Sequence, residues 1–100
     1  MTLEDAIREL ERRRVQIDDV DRRIVELLNE RTRVVEAIGK VKREARLPIY
    51  EPKREDEVFR NVIDHNHGPL PPDAARRVFE RIIDEMRNVQ RLRILEEEGK

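Results

Sequence analysis

From Leu3 to about Arg46 the chain has no proline and one glycine, Gly39, and its apolar residues recur at alternating steps of four and three. The series runs Leu3, Ile7, Leu10, Arg14, Ile17, Asp21, Ile24, Leu28, Arg31, Val35, Ile38, Lys42, and Val20, Leu27, Val34 and Val41 widen it. Steps of three and four keep side chains on one face of an α-helix. A helix of roughly 40 residues is about 60 Å long. A compact 100-residue monomer has a radius of gyration of only about 13 Å. The remaining sequence is too short to cover such a stripe, so a second copy is expected to do so, in an antiparallel two-fold dimer.

Two clusters of helix breakers, Pro48 with Pro52 and Gly68 with Pro69, Pro71 and Pro72, divide the rest. The pattern predicts an all-α fold of three helices in a single domain over residues 1–100. The helices span about Leu3 to Arg46, about Pro52 to His65 and about Pro72 to Glu96. Gly39 sits inside a strongly periodic segment and is read as tolerated within the first helix. No stretch alternates apolar and polar residues as a half-buried strand would.

With 37% apolar and 45% charged residues, the chain suits amphipathic helices that each bury one stripe. A net charge of −1 makes a general polyanion-binding surface unexpected, and nucleic acid is not an expected partner. Arg12, Arg13 and Arg14 lie among acids and lack stacking aromatics. The absence of cysteine excludes disulfides, thiolate zinc sites and cysteine nucleophiles. His65 and His67 are read as loop residues rather than metal ligands, so no metal is expected. "GKVKR" lacks the glycines and hydroxyl residue of a phosphate-binding loop. No segment reaches the roughly 20 apolar residues of a membrane span, and MTLEDAIREL lacks the apolar centre of a signal peptide. A cytoplasmic location is the expectation.

Three cations, Arg14, Arg31 and Lys42, interrupt the long apolar stripe. Two readings are open. The cations snorkel or pair locally, as Arg14 can with Asp18; or they converge on an anion. An unpaired buried charge costs several kcal/mol, which a bound anion would offset. Arg31 and Lys42 are about 16 Å apart along a helix axis, close enough for long side chains to hold a small ligand between them. Arg14 lies about 25 Å from Arg31 on the same helix. In an antiparallel dimer centred near Ile24 or Val25, the partner's Arg14 would fall between Arg31 and Lys42.

The second and third helices repeat this mixture. Val58, Phe59 and Val62 form an apolar face that Glu55 and Glu51 continue, with Arg54 adjacent. Helix capping is the alternative reading for those acids. The third helix is expected to bury Ala75, Val78, Phe79, Ile82, Ile83 and Met86, and Gln90 continues its stripe. Gln90 reads either as a structural hydrogen bonder or as a site residue.

This ordered set resembles the all-helical (AroQ-type) chorismate mutases. The matching elements are Arg14, "ID..D..I..LL.ER" from Ile17 to Arg31, "GKVK" ending in Lys42, "LPIYEPKRE" from Leu47 to Glu55, and "IIDEMRNVQ" ending in Gln90. They span about residues 7 to 95. The resemblance implies an intertwined antiparallel homodimer that converts chorismate to prephenate without cofactor or metal. It implies that the partner's Arg14 and Arg31 bind the substrate carboxylates. Lys42 would bridge a carboxylate and the ether oxygen, and Gln90 would donate to that oxygen. Glu55 would hold the ring hydroxyl with Glu51 nearby, Arg54 would add positive field, and Ile38 and Ile83 would pack on the substrate. Met86 stands where many members carry a small polar residue, so one polar contact to the substrate is expected to be missing. The alternative expectation is a weakly active or inactive helical dimerisation or regulatory module of a shikimate-pathway enzyme.

Overall fold

The computed structural model describes residues 1–99. It contains three α-helices: α1 (Leu3–Ala45), α2 (Pro52–His65) and α3 (Pro72–Glu98). No strand occurs among the described residues. The chain divides into two compact units, Met1–Arg33 and Val34–Lys100.

The first unit is a single helical run. Thr2 opens it: Asp5 N–H donates to Thr2 Oγ1 at 3.1 Å, and Thr2 N–H donates back to Asp5 Oδ2 at 3.4 Å. This reciprocal pair satisfies helix donors that lack an intrahelical partner. Local ion pairs of Arg8 with Asp5, Arg12 and Arg13 with Glu9, and Arg23 with Asp19 decorate its polar faces. The Arg8 guanidinium, helped by Thr2, holds the Asp5 carboxyl below its ordinary value, and Arg12 does the same for Glu9. No residue of this unit is buried in the single chain. Leu3, Ile7, Leu10, Ile17, Val20, Ile24 and Leu27 are each at least 43% exposed.

The second unit contains the final turns of α1 together with α2 and α3. Ala75, Ile83 and Met86 on α3 form its buried apolar core, with Gln90 buried beside them. Val58, Phe59, Val62 and Ile63 of α2 and Phe79 and Ile82 of α3 are half-buried. Val78, expected inside from its spacing, is 52% exposed. Its neighbour Phe79 takes the half-buried side, because residues one position apart point about 100° away from each other on a helix.

α1 ends one residue short of the expected Arg46, which adopts a left-handed conformation (φ 57°). Leu47 N–H donates to the Lys42 carbonyl at 2.7 Å and Arg46 N–H to the Arg43 carbonyl at 3.2 Å. This is the Schellman pattern, here with arginine in the place that glycine usually occupies. It turns the chain back beside the end of α1. α2 starts on Pro52, whose missing N–H costs nothing in a first helical turn. After α2, Asn66 holds the connection: its Oδ1 accepts from Gly68 N–H at 3.1 Å and its Nδ2 donates to the Leu70 carbonyl at 2.9 Å. Gly68 carries the positive φ (75°) of that turn. α3 begins on Pro72 and continues two residues beyond the expected Glu96.

Candidate active site

Lys42 lies in the last turn of α1, where the Schellman turn returns the chain towards it. Its Nζ donates to the Ile49 carbonyl at 3.0 Å and pairs with Glu51 Oε1 at 2.8 Å. The Lys42 side chain is 13% exposed, whereas Glu51 is 47% exposed. A sheltered ammonium is therefore held by an acid that remains open to solvent. Glu51 occupies the N-cap position of α2 but makes no side-chain capping bond. Its backbone carbonyl accepts from Glu55 N–H at 3.0 Å, which leaves the carboxylate to Lys42. The capping interpretation of Glu51 is replaced by this ion pair.

Gln90 is 7% exposed, and its Nε2 donates to the Val35 carbonyl of α1 at 3.4 Å. The bond is long, so the amide is oriented without being strongly held. α3 packs the Gln90 side chain against Gly39 of α1. Gly39 is the buried residue of α1, and a Cβ at that position would lie 3.5 Å from Gln90 Cγ and 3.8 Å from Nε2. Within this unit the end of α1 and α3 thus present a sheltered ammonium and a sheltered amide.

Glu55 sits in the first turn of α2, half-buried, and faces α3. Its Oε2 is 3.7 Å from Arg87 Nε. Arg87 also pairs with Asp84 at 2.5 Å, and its guanidinium carbon lies 5.5 Å from the centre of the Tyr50 ring. Arg54 points elsewhere: its Nη1 pairs with Glu57 at 3.2 Å and its side chain is 58% exposed. Ile83 and Met86 are buried in the core of this unit, while Ile38 is 45% exposed. Arg14 and Arg31 belong to the first unit, where Arg14 is exposed and Arg31 half-buried.

A second polar cluster lies along the end of α1 and α3. Arg43 pairs with Glu97, and Arg93 with Glu36 and Glu96. Glu96, followed by Glu36, raises the Arg93 guanidinium above its ordinary value. Each of these cations is paired with an acid. His65 Nδ1 lies 2.7 Å from the Asn61 carbonyl of its own helix. Among the described residues no group of three His, Cys, Asp or Glu side chains could hold a metal, and no helix is long and apolar enough to cross a membrane.

Gly39 lies inside α1, as its place in the stripe implied. Sequence reasoning missed Arg87, which carried no signal of its own. It is separated from Asp84 by three positions, the spacing of an ordinary helix-surface ion pair.

Residues 13–91 match the family model for chorismate mutase type II. The chain is 38% identical over 79 residues to a bifunctional chorismate mutase/prephenate dehydratase of Aquifex aeolicus, a match covering 75% of this chain and 22% of that protein. It is 40% identical over 75 residues to the protein of the same name from Neisseria gonorrhoeae, covering 75% and 20% respectively. The chain thus spans about a fifth of the length of these curated relatives. Its fold resembles a chorismate mutase structure (form II) from Thermus thermophilus, with a TM-score of 0.81 and 35% identity over 83% of this chain and 94% of that one.

Proposed function

The chain belongs to the chorismate mutase type II family, and from that premise we propose that it catalyses the rearrangement of chorismate to prephenate as a homodimer in the cytoplasm. One observation carries the reading: Lys42 and Gln90, 13% and 7% exposed, supply a charged and a neutral N–H donor from the end of α1 and from α3.

The reaction breaks the ether C–O bond as a C–C bond forms within one molecule, and no group has to gain or lose a proton. Negative charge grows on the ether oxygen in the transition state. Donors fixed before the reaction stabilise that charge more than they stabilise the substrate. Lys42 and Gln90 take this role. Arg31, Lys42 and the Arg14 of a second copy bind the two carboxylates and fold the enolpyruvyl arm over the ring. Glu55 accepts from the ring hydroxyl, with Glu51 at the mouth of the site and Arg54 adding positive field. Ile38 and Ile83 pack on the ring. Met86 provides apolar contact in place of a polar one, which weakens substrate binding without changing the reaction.

The dimer has its own support. The apolar stripe of Met1–Arg33, with Leu3, Ile7, Leu10, Ile17, Val20, Ile24 and Leu27 each at least 43% exposed, is a surface that a second copy would bury.

The test is the loss of chorismate absorbance near neutral pH, with prephenate identified as the product. Steady turnover is expected. No turnover at micromolar enzyme would leave a helical dimerisation or regulatory module as the better reading.

A further inference from the structure

We infer that Arg87 is a positioning residue that fixes the Glu55 carboxylate, and so acts on the ring-hydroxyl end of the substrate without touching it. The inference rests on the role proposed for Glu55 in the rearrangement.

Glu55 and Arg87 come from different helices, and their side chains are only 22% and 27% exposed. Several rotatable bonds separate the Glu55 carboxylate from its backbone. A carboxylate that must meet one hydroxyl needs those bonds fixed before the substrate arrives. The structure offers a cation for this purpose. Arg87 Nε approaches Glu55 Oε2 at 3.7 Å. That nitrogen is sheltered from solvent and has no hydrogen-bond partner. A buried N–H without an acceptor is costly, so the cost is relieved when Glu55 moves a few tenths of an ångström towards it. The rest of the guanidinium is held independently. Asp84 takes Nη2 at 2.5 Å, and Tyr50 places its ring beside the group at 5.5 Å. Arg87 is therefore anchored on α3 with its Nε turned to Glu55 of α2. Arg54, one position before Glu55, does not supply this contact, because it pairs with Glu57.

A bridge that merely joined α2 to α3 would have the same geometry, so the test must separate positioning from stability. The experiment is a double-mutant cycle on kcat/KM for chorismate with the full chain, using Arg87→Gln, Glu55→Gln and both together. Melting temperatures are measured on every variant. Arg87→Gln is expected to lower kcat/KM about tenfold, mostly through KM. In the Glu55→Gln background the same change is expected to cost less than about twofold, because the group it positions is already altered. Arg87→Lys keeps the charge and is expected to recover most of the loss.

Effects that multiply in the double variant would overturn the inference. So would a loss from Arg87→Gln that Arg87→Lys does not recover and that follows the fall in melting temperature. If Arg87→Gln fails to fold, Tyr50→Leu serves in its place, since it removes the ring beside the guanidinium and leaves the ion pair. An unchanged KM in a folded Tyr50→Leu variant would also count against the inference, and a raised KM that disappears with Glu55→Gln would support it. An inactive wild-type chain would instead refute the proposed function, which keeps the two failures distinct.

Discussion

Gln90→Glu tests the proposed chemistry most directly, because it exchanges one NH₂ for oxygen at nearly constant volume. Gln90 is 7% exposed and its amide nitrogen faces the Val35 carbonyl at 3.4 Å. An ionised carboxylate there would place oxygen against oxygen and lose the donor proposed for the ether oxygen. Arg43 Nη1 approaches the same face of Gly39, but its guanidinium is already engaged by Glu97. Burial raises a carboxyl pKa, so the substituted acid is expected to be ionised at pH 7.5 and increasingly protonated as the pH falls. Removing one preorganised donor costs about 10²–10³ in kcat. The variant is thus expected to be at least a hundredfold slower at pH 7.5 and to regain activity through a single protonation as the pH falls. Wild type should vary little between about pH 6 and 8, since an amide does not titrate there. Because the folded pKa lies above the unfolded one, the variant's stability deficit is absent below the unfolded value and grows as the pH rises through the folded one. Stopped assays of kcat across that range, with urea unfolding at its two ends, measure both effects. Wild-type activity at pH 7.5 would refute a donor role for Gln90. Inactivity at both ends with an intact fold at pH 5 would refute the claim that its N–H is what matters.

Lys42→Ala should lower kcat by about 10² or more with a small effect on melting temperature; an unchanged kcat removes Lys42 from the chemistry. Chains carrying Arg14→Ala and chains carrying Arg31→Ala should each be inactive, and mixing them should restore about one intact site per heterodimer if the dimer shares residues as proposed. Subunit exchange, followed by mass, with no return of activity would sink that arrangement. Met86→Ser should lower KM for chorismate at some cost in stability, because a core side chain 8% exposed is lost; a higher KM would contradict the account of Met86. Gly39→Ala should raise the melting temperature, since the added methyl meets Gln90 Cγ and Arg43 Nη1 at 3.5 Å, ordinary contact distance, and removes about 0.5–1 kcal/mol of glycine penalty. A lower melting temperature would show that α3 cannot yield there.

Three helices were legible because periodicity and proline placement report local structure, which a chain determines within a few turns. Three details were not. The end of α1 depends on Arg46 accepting a left-handed conformation, for which an arginine offers no sign. For Glu51 capping stayed open beside a site role, and only the turn at Arg46 brings it to Lys42, nine positions earlier. Arg87 drew no reading at all, because its partners Tyr50 and Glu55 lie on segments more than 30 positions away. Local rules read helices well; they do not report which exposed-looking charges meet once the helices pack. Val78 shows the same limit for apolar residues, since spacing placed it inside and the packed helices leave it exposed.

The ammonium of Lys42 has the shape of a tripod. Its three N–H bonds diverge tetrahedrally, and two of them stand on groups of the α1–α2 connection, the Ile49 carbonyl and the Glu51 carboxylate. The third has only one direction left. In its proposed role Lys42 would therefore offer the substrate one N–H, shared between a carboxylate and the ether oxygen, and its direction is set by the Ile49 carbonyl and Glu51. Lengthening that connection by one residue would leave the composition of the site intact and still turn this proton away from its target.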